Sequence, residues 1–70
     1  MNKNNFQAIL FPKSMRAVRC LEWLKRHNYT PIKRAHVTKN YRRYRLIEPI
    51  EKNKYRTVHL GNEILAIQII

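Results

Sequence analysis

This sequence predicts an α+β fold, with one helix packed on a mainly antiparallel sheet of four to five strands in the order β-α-β-β-β-β. Three observations carry the prediction. A helical apolar period is confined to one segment, Met15 to His27; apolar or alternating runs of strand length flank it; and short turn signals divide the later runs. The 70 residues leave room for a single domain spanning 1–70. A chain of this size buries only ~60% of the surface it exposes when unfolded, so its core must be small. A hydrophobic content of 44%, rich in Ile, Leu and Val, is enough to build one.

The elements follow in order. Residues 1–5 are polar and expected to fray. From Phe6 to Phe11, Phe6, Ala8 and Leu10 alternate with Gln7, Ile9 and Phe11. Both sets are mostly apolar, which suits a strand covered on both faces, and Pro12 ends it. Ser14 stands where a helix N-cap belongs, and Ala17, Cys20, Leu21 and Leu24 recur at helical spacing between Met15 and His27. Arg16, Arg19, Lys25 and Arg26 fall on the opposite face, and Trp23 lies at the edge of the stripe. Asn28 suits a left-handed stop before Tyr29-Thr30-Pro31. Beyond Pro31 come four β-type runs: Ile32 to Thr38, Tyr41 to Glu48, Tyr55 to Leu60 and Ile64 to Ile69. They are divided by Lys39-Asn40, by the polar stretch Pro49 to Lys54 and by Gly61-Asn62. A single helix covers only one face of such a sheet, so the other face meets water or a partner.

Charge points to the partner. Fifteen Lys and Arg face four acids, Glu22, Glu48, Glu51 and Glu63, for a net charge of +11. Ion pairs can neutralise at most four of these cations, and the rest repel one another unless a polyanion arrives. The excess is concentrated. No acid lies between Glu22 and Glu48, a span that holds Lys25, Arg26, Lys33, Arg34, Lys39, Arg42, Arg43 and Arg45. Nucleic acid, DNA or RNA, is the expected partner. A membrane surface is not, because that would ask for a basic helix with a broad apolar face left free.

Within the tract, Tyr41-Arg42-Arg43-Tyr44-Arg45-Leu46-Ile47 is the sharpest motif. Strand alternation puts Arg43, Arg45 and Ile47 on one face, predicted to be open, and Arg42, Tyr44, Leu46 and Glu48 on the other, with Tyr44 and Leu46 toward the core. Arginine binds phosphate through a planar fork and stacks on bases, and tyrosine offers a ring for stacking. Tyr41, near the turn, suits either role. Tyr55-Arg56-Thr57-Val58-His59 repeats the aromatic and basic pairing, and Arg56 would join the arginine row if its strand neighboured Tyr41 to Glu48. Lys33 and Arg34 would point to opposite faces of their strand, so that only one of them joins. Lys39, Lys52 and Lys54 lie in loops able to grip phosphates, and Arg16, Arg19 and Arg26 could track them from the helix. Binding of this kind is driven by the backbone; neutralising about four to six phosphates gives a log-log salt slope of roughly −4 to −5 on B-DNA.

Enzymatic and cofactor chemistry finds little to work with. Four scattered glutamates without an Asp make a poor metal nuclease, and one glycine rules out a Gly-rich phosphate loop. No catalytic residue, metal or cofactor is expected. His36 and His59 are the pair a metal-free ribonuclease would use. Cys20 is a lone cysteine, so no disulfide framework forms and a reducing compartment is expected. No apolar run approaches a secretory signal or a membrane span, so an intracellular place is expected: cytoplasm, nucleoid, host nucleus or virion.

Phe11-Pro12-Lys13-Ser14, Ala17 to Lys25, His27-Asn28-Tyr29, Asn40 to Arg45 and the apolar ending together resemble small basic proteins of phages and large DNA viruses. That resemblance implies a viral regulator or genome-associated protein and supplies no mechanism. Two other readings compete with nucleic-acid binding. One is an assembly subunit that docks an acidic protein or forms a homodimer through the apolar strand Ile64 to Ile70; the other is a small ribonuclease toxin built on His36 and His59.

Overall fold

The computed structural model describes residues 5–48 and 54–70. β1 (Phe6–Pro12) takes the middle of a five-stranded sheet, as its two apolar faces require. Around it are α1 (Ala17–Arg26), β2 (His36–Val37), β3 (Tyr41–Arg45), β4 (Tyr55–Gly61) and β5 (Ile64–Ile69). The spatial order is β2-β3-β1-β5-β4, and every neighbouring pair is antiparallel. This is the α+β arrangement expected. One consequence was not anticipated: β3 and β4 follow one another in the chain yet stand three positions apart in the sheet. Asn5, expected to fray, is tied in, its carbonyl accepting from the Ile69 amide at 2.9 Å. Residues 1–4 and 49–53, Lys52 among them, lie outside the described residues.

Phe6, Ile9 and Phe11 all join the core with Cys20, Leu24, Tyr29, Tyr44, Leu46, Ile64 and Ala66. Simple alternation would separate Phe6 from the other two. A bulge reconciles them, since the pairing of β1 with β5 shifts register between Phe6 and Ala8, leaving Gln7 as the extra residue. The same bulge ends β3 earlier than the sequence suggests. The Gln7 carbonyl accepts from both Leu46 (2.8 Å) and Ile47 (3.3 Å), so the chain leaves the ladder after Arg45.

The helix differs from expectation at its start and conforms at its end. Ser14 does not cap it. The Met15 amide donates to the Pro12 carbonyl at 2.9 Å in a tight turn, which moves the cap to Arg16, where no side chain closes the first turn. The apolar stripe is also rotated. Cys20 and Leu24 are buried, Trp23 and Met15 pack alongside, and Leu21 is 47% exposed. The rotation follows Trp23, whose ring meets Phe11 edge-on with centroids 5.5 Å apart and lies parallel to Tyr29 at 6.2 Å. At the C-terminus Asn28 takes φ 63°. The Tyr29 amide reaches back to the Leu24 carbonyl (2.8 Å) and the Asn28 amide to that of Lys25 (3.1 Å). These are the paired bonds of a Schellman stop, with buried Tyr29 and Leu24 as its apolar contact.

The two hairpins are tight. Thr38 and Tyr41 exchange backbone and side-chain hydrogen bonds across Lys39-Asn40, the predicted turn. The β4–β5 turn falls one residue later than Gly61-Asn62. Gly61 closes β4 at φ 90°, beside a register shift, and Asn62 (52°) and Glu63 (63°) occupy the two left-handed turn positions.

Candidate nucleic-acid interface

Register decides which cations meet. Tyr44 faces the helix, its ring edge-on to Phe11 at 5.7 Å, so Tyr41, Arg43 and Arg45 face the other way. Cα pairing then places Pro12, Leu10 and Ala8 beside them on β1, His36 beside Arg43 on β2, and Leu65 and Ile67 on β5. On this open face a concavity of about 320 Å³ is lined by Lys33, Arg34, Ala35, His36, Arg43 and Arg45. It is the densest gathering of basic side chains among the described residues.

Lys33 and Arg34 both line it, which corrects the expectation that only one could. The reason is local. Only His36–Val37 is strand, residues 32 and 33 form a bend and 34 and 35 are irregular, so the alternation of an extended run does not apply to them. The Ile32 amide donates to the Arg45 carbonyl at 2.9 Å, which folds this segment along the outer edge of β3.

Arg43 is held in place. Its Nη2 donates to Gln7 Oε1 at 2.8 Å, and Gln7 Nε2 donates in turn to the Ile47 carbonyl at 3.0 Å. Gln7 is 1% exposed, so these bonds satisfy an otherwise costly buried amide. They also fix the guanidinium against a neutral group, leaving its charge uncompensated. Nε of Arg43, also buried, has no hydrogen-bond partner. Among the described residues one carboxylate stands nearby. Lys33 Nζ and Glu48 Oε1 are 2.7 Å apart in an exposed pair. The hydrogen bond from Lys33, with the charges of Lys33 and Arg45 behind it, holds the Glu48 carboxyl below its usual value. With four cations against this one acid, the concavity keeps a surplus of positive charge at neutral pH.

The other predicted site residues go elsewhere. Arg42 faces the helix, where its Nε donates to the Met15 carbonyl at 3.0 Å. Arg16, Arg19 and Arg26 are exposed on or beside α1, across the sheet from the concavity. Arg56 does not join the arginine row, because β4 is the far edge strand and Arg56 turns to the helix side, bonded to Gln68 Oε1 at 2.7 Å. Lys54 is exposed next to β4, its carbonyl accepting from the Ile70 amide. Lys39 sits exposed in the β2–β3 turn beside Tyr41.

The sequence offers His36 as a catalytic candidate, and the structure places it in the basic cluster. The signal was present: a turn at Lys39-Asn40 puts His36 opposite Arg43. His36 and His59 share the open face but stand on the two edge strands, four strand spacings or roughly 19 Å apart. They cannot serve one phosphodiester as acid and base.

No family model matches the chain, and no curated protein or solved structure matches it. Among the described residues no helix is long and apolar enough to cross a membrane.

Proposed function

We propose that this protein binds nucleic acid through the open face of its sheet, with the concavity of Lys33, Arg34, His36, Arg43 and Arg45 as the phosphate site. The observation that carries the reading is this convergence of four permanent cations and a histidine against, among the described residues, a single carboxylate. Arg43 and Arg45 come from a strand and Arg43 is anchored by Gln7, so the charges are held near one another before the ligand arrives. A phosphate chain relieves their repulsion on contact. Lys39 extends the strip at its turn end, while Arg16, Arg19, Arg26 and Arg42 form a separate basic surface on the helix side. The protein acts as a binder and not a catalyst. The viral resemblance supports a place on a phage or viral genome.

Titration against duplex DNA, single-stranded DNA and RNA at low and moderate salt tests the reading. Binding should weaken steeply with salt, and Arg34→Ala with Arg45→Ala should weaken it for every sequence. Affinity indifferent to salt and to both substitutions would overturn it.

One observation favours a second reading, an assembly subunit. β4 ends the sheet with seven residues, and among the described residues no strand pairs with its outer edge. β5, which the sequence offered for that role, is hydrogen-bonded on both edges, between β1 and β4. A stable oligomer that ignores nucleic acid, seen by gel filtration with light scattering, would favour this reading.

A further inference from the structure

The open face carries a second hollow, of different chemistry, at the hairpin end of the sheet. It encloses about 380 Å³ and is lined by Pro12, Asn40, Tyr41, His59, Glu63 and Leu65, a size in the lower range of small-ligand sites. Register confirms the face: Tyr41 pairs with Pro12, and His59 with Leu65. No Lys or Arg lines it, and Glu63 contributes a carboxylate. A phosphate is therefore the wrong occupant, and a flat, neutral ring with polar edges is the right one.

Two rings await such a partner. Phe6, Phe11, Trp23, Tyr29, Tyr44 and His27 are all engaged in ring contacts within the protein. Among the described residues, Tyr41 and His59 stack on no other ring. Tyr41 is nevertheless well placed. The Thr38 amide donates to its carbonyl at 2.8 Å, its own amide donates to Thr38 Oγ1 at 3.1 Å, and the adjoining Asn40 carbonyl accepts from the Lys13 amide at 3.0 Å. Along β3, Tyr41 lies two residues from Arg43, about 7 Å, so the hollow adjoins the phosphate site on the same face.

We infer that this hollow is a base-stacking pocket, and that the preferred ligand is a single-stranded nucleic acid whose phosphates lie in the basic concavity while a base packs against Tyr41, with His59, three strand spacings away, at the far wall of the hollow. The inference rests on the proposed phosphate site. Bases in a duplex are already stacked and paired, so they are not offered to such a pocket. Asn40 and Glu63 supply the polar edge, the carboxylate accepting from an exocyclic amine.

The test compares oligonucleotides of about twelve units: oligo(dA), oligo(rA), a chain of abasic deoxyribose phosphates, and the same length of duplex DNA. The two adenine strands should bind better than the abasic chain by roughly 5- to 150-fold, the worth of one stacked base. Tyr41→Ala should erase that margin and His59→Ala should reduce it, both leaving abasic and duplex binding unchanged, while Tyr41→Phe should keep it. The ratio of the adenine strands shows whether the sugar matters. Equal binding of base-bearing and abasic chains, or a margin that survives both alanine variants, would overturn the pocket while leaving the phosphate site intact. No binding of any of the four would overturn both.

Discussion

The two faces of the sheet are built from the same strands and do opposite work. On the helix side, Phe11, Tyr44, Leu46, Ile64 and Ala66 are buried against Cys20 and Leu24, and rings meet edge to face. Arg42, a cation on that side, is bonded to a backbone carbonyl. On the other side Arg43 and Arg45 stand in the next positions of the same strand, with Lys33, Arg34 and His36 around a hollow. Parity along β3 thus separates the buried core from the face proposed to bind nucleic acid. Substitutions on one side should change folding free energy and spare affinity, and those on the other should do the reverse.

The largest effect tests the folding side. Leu24→Ala removes a fully buried side chain from the middle of the core and should cost about 2–5 kcal/mol by urea denaturation. At temperatures where the variant is folded, its nucleic-acid affinity should match the parent. A large affinity loss in the folded variant would break the separation.

Gln7 is where the two sides touch, because its side chain is buried yet holds Arg43. Gln7→Leu leaves the Ile47 carbonyl and the Arg43 guanidinium without their partner, which should cost about 1–3 kcal/mol. It should also weaken binding several-fold by releasing Arg43. If stability falls and affinity does not, Arg43 needs no anchoring.

On the recognition side, Arg34→Ala with Arg45→Ala should lower affinity at moderate salt by roughly tenfold or more and flatten the log-log salt slope by about two. Stability should stay within about 0.5 kcal/mol, because neither cation has a bond that folding depends on. The matched control is Arg16→Ala with Arg26→Ala on the helix side. Losses of equal size from the two pairs would mean that charge alone, and not the open face, attracts the ligand.

How far the sequence foretold this division depends on the element. The parity of Tyr41 to Arg45 was legible, because a strand alternates whatever its neighbours are, and Tyr44 and Leu46 were expected inside. The stop at Asn28 was legible too, since few residues accept a left-handed backbone. What could not be read was long-range. Nothing local says that β1 and β5 come between β3 and β4, so the condition on which Arg56 would join the row could not be decided from the sequence, and it fails. Nor does the sequence show that Gln7 is the extra residue of a bulge, which shortens β3 and lets Phe6 share a face with Ile9. The bend at 32 and 33 hides the meeting of Lys33 with Arg34, because strand alternation does not hold in a segment outside the ladder.

The two sides also differ in how pH reaches them. Burial raises the Cys20 thiol above its ordinary 9.0, against the opposing charge of Arg42. Burial likewise raises the Tyr44 phenol above 10.0. Both groups are neutral in the fold, so the stability they contribute is fully present below their unfolded values and is lost as pH rises through the raised ones. Thermal stability should decline above about pH 9, and Cys20→Ala should lose less over that rise than the parent. On the open side, acid protonates Glu48 and frees Lys33. That pair is solvent-exposed, so the fold should barely notice. Affinity should instead rise slightly as pH falls through the Glu48 value, because a competing carboxylate is neutralised.

The smallest effect lies at the β4–β5 turn, where the open face carries a strained backbone. Asn62 tolerates its left-handed backbone, but Glu63 at φ 63° is a residue for which that conformation is unfavourable by about 1–2 kcal/mol. Glycine would relieve it, less the entropy glycine gains when unfolded, so Glu63→Gly should raise stability by about 0.5–1 kcal/mol. A turn chosen for stability alone would carry Asn-Gly. Glu63 lines the hollow of Tyr41 and His59, so the substitution should also lower the preference for amino-bearing bases such as adenine over thymine. If Glu63→Gly stabilises the protein and leaves oligo(dA) and oligo(dT) affinities unchanged, the strain at this turn serves no recognition, and the open face reads phosphates and rings without regard to the edge of the base.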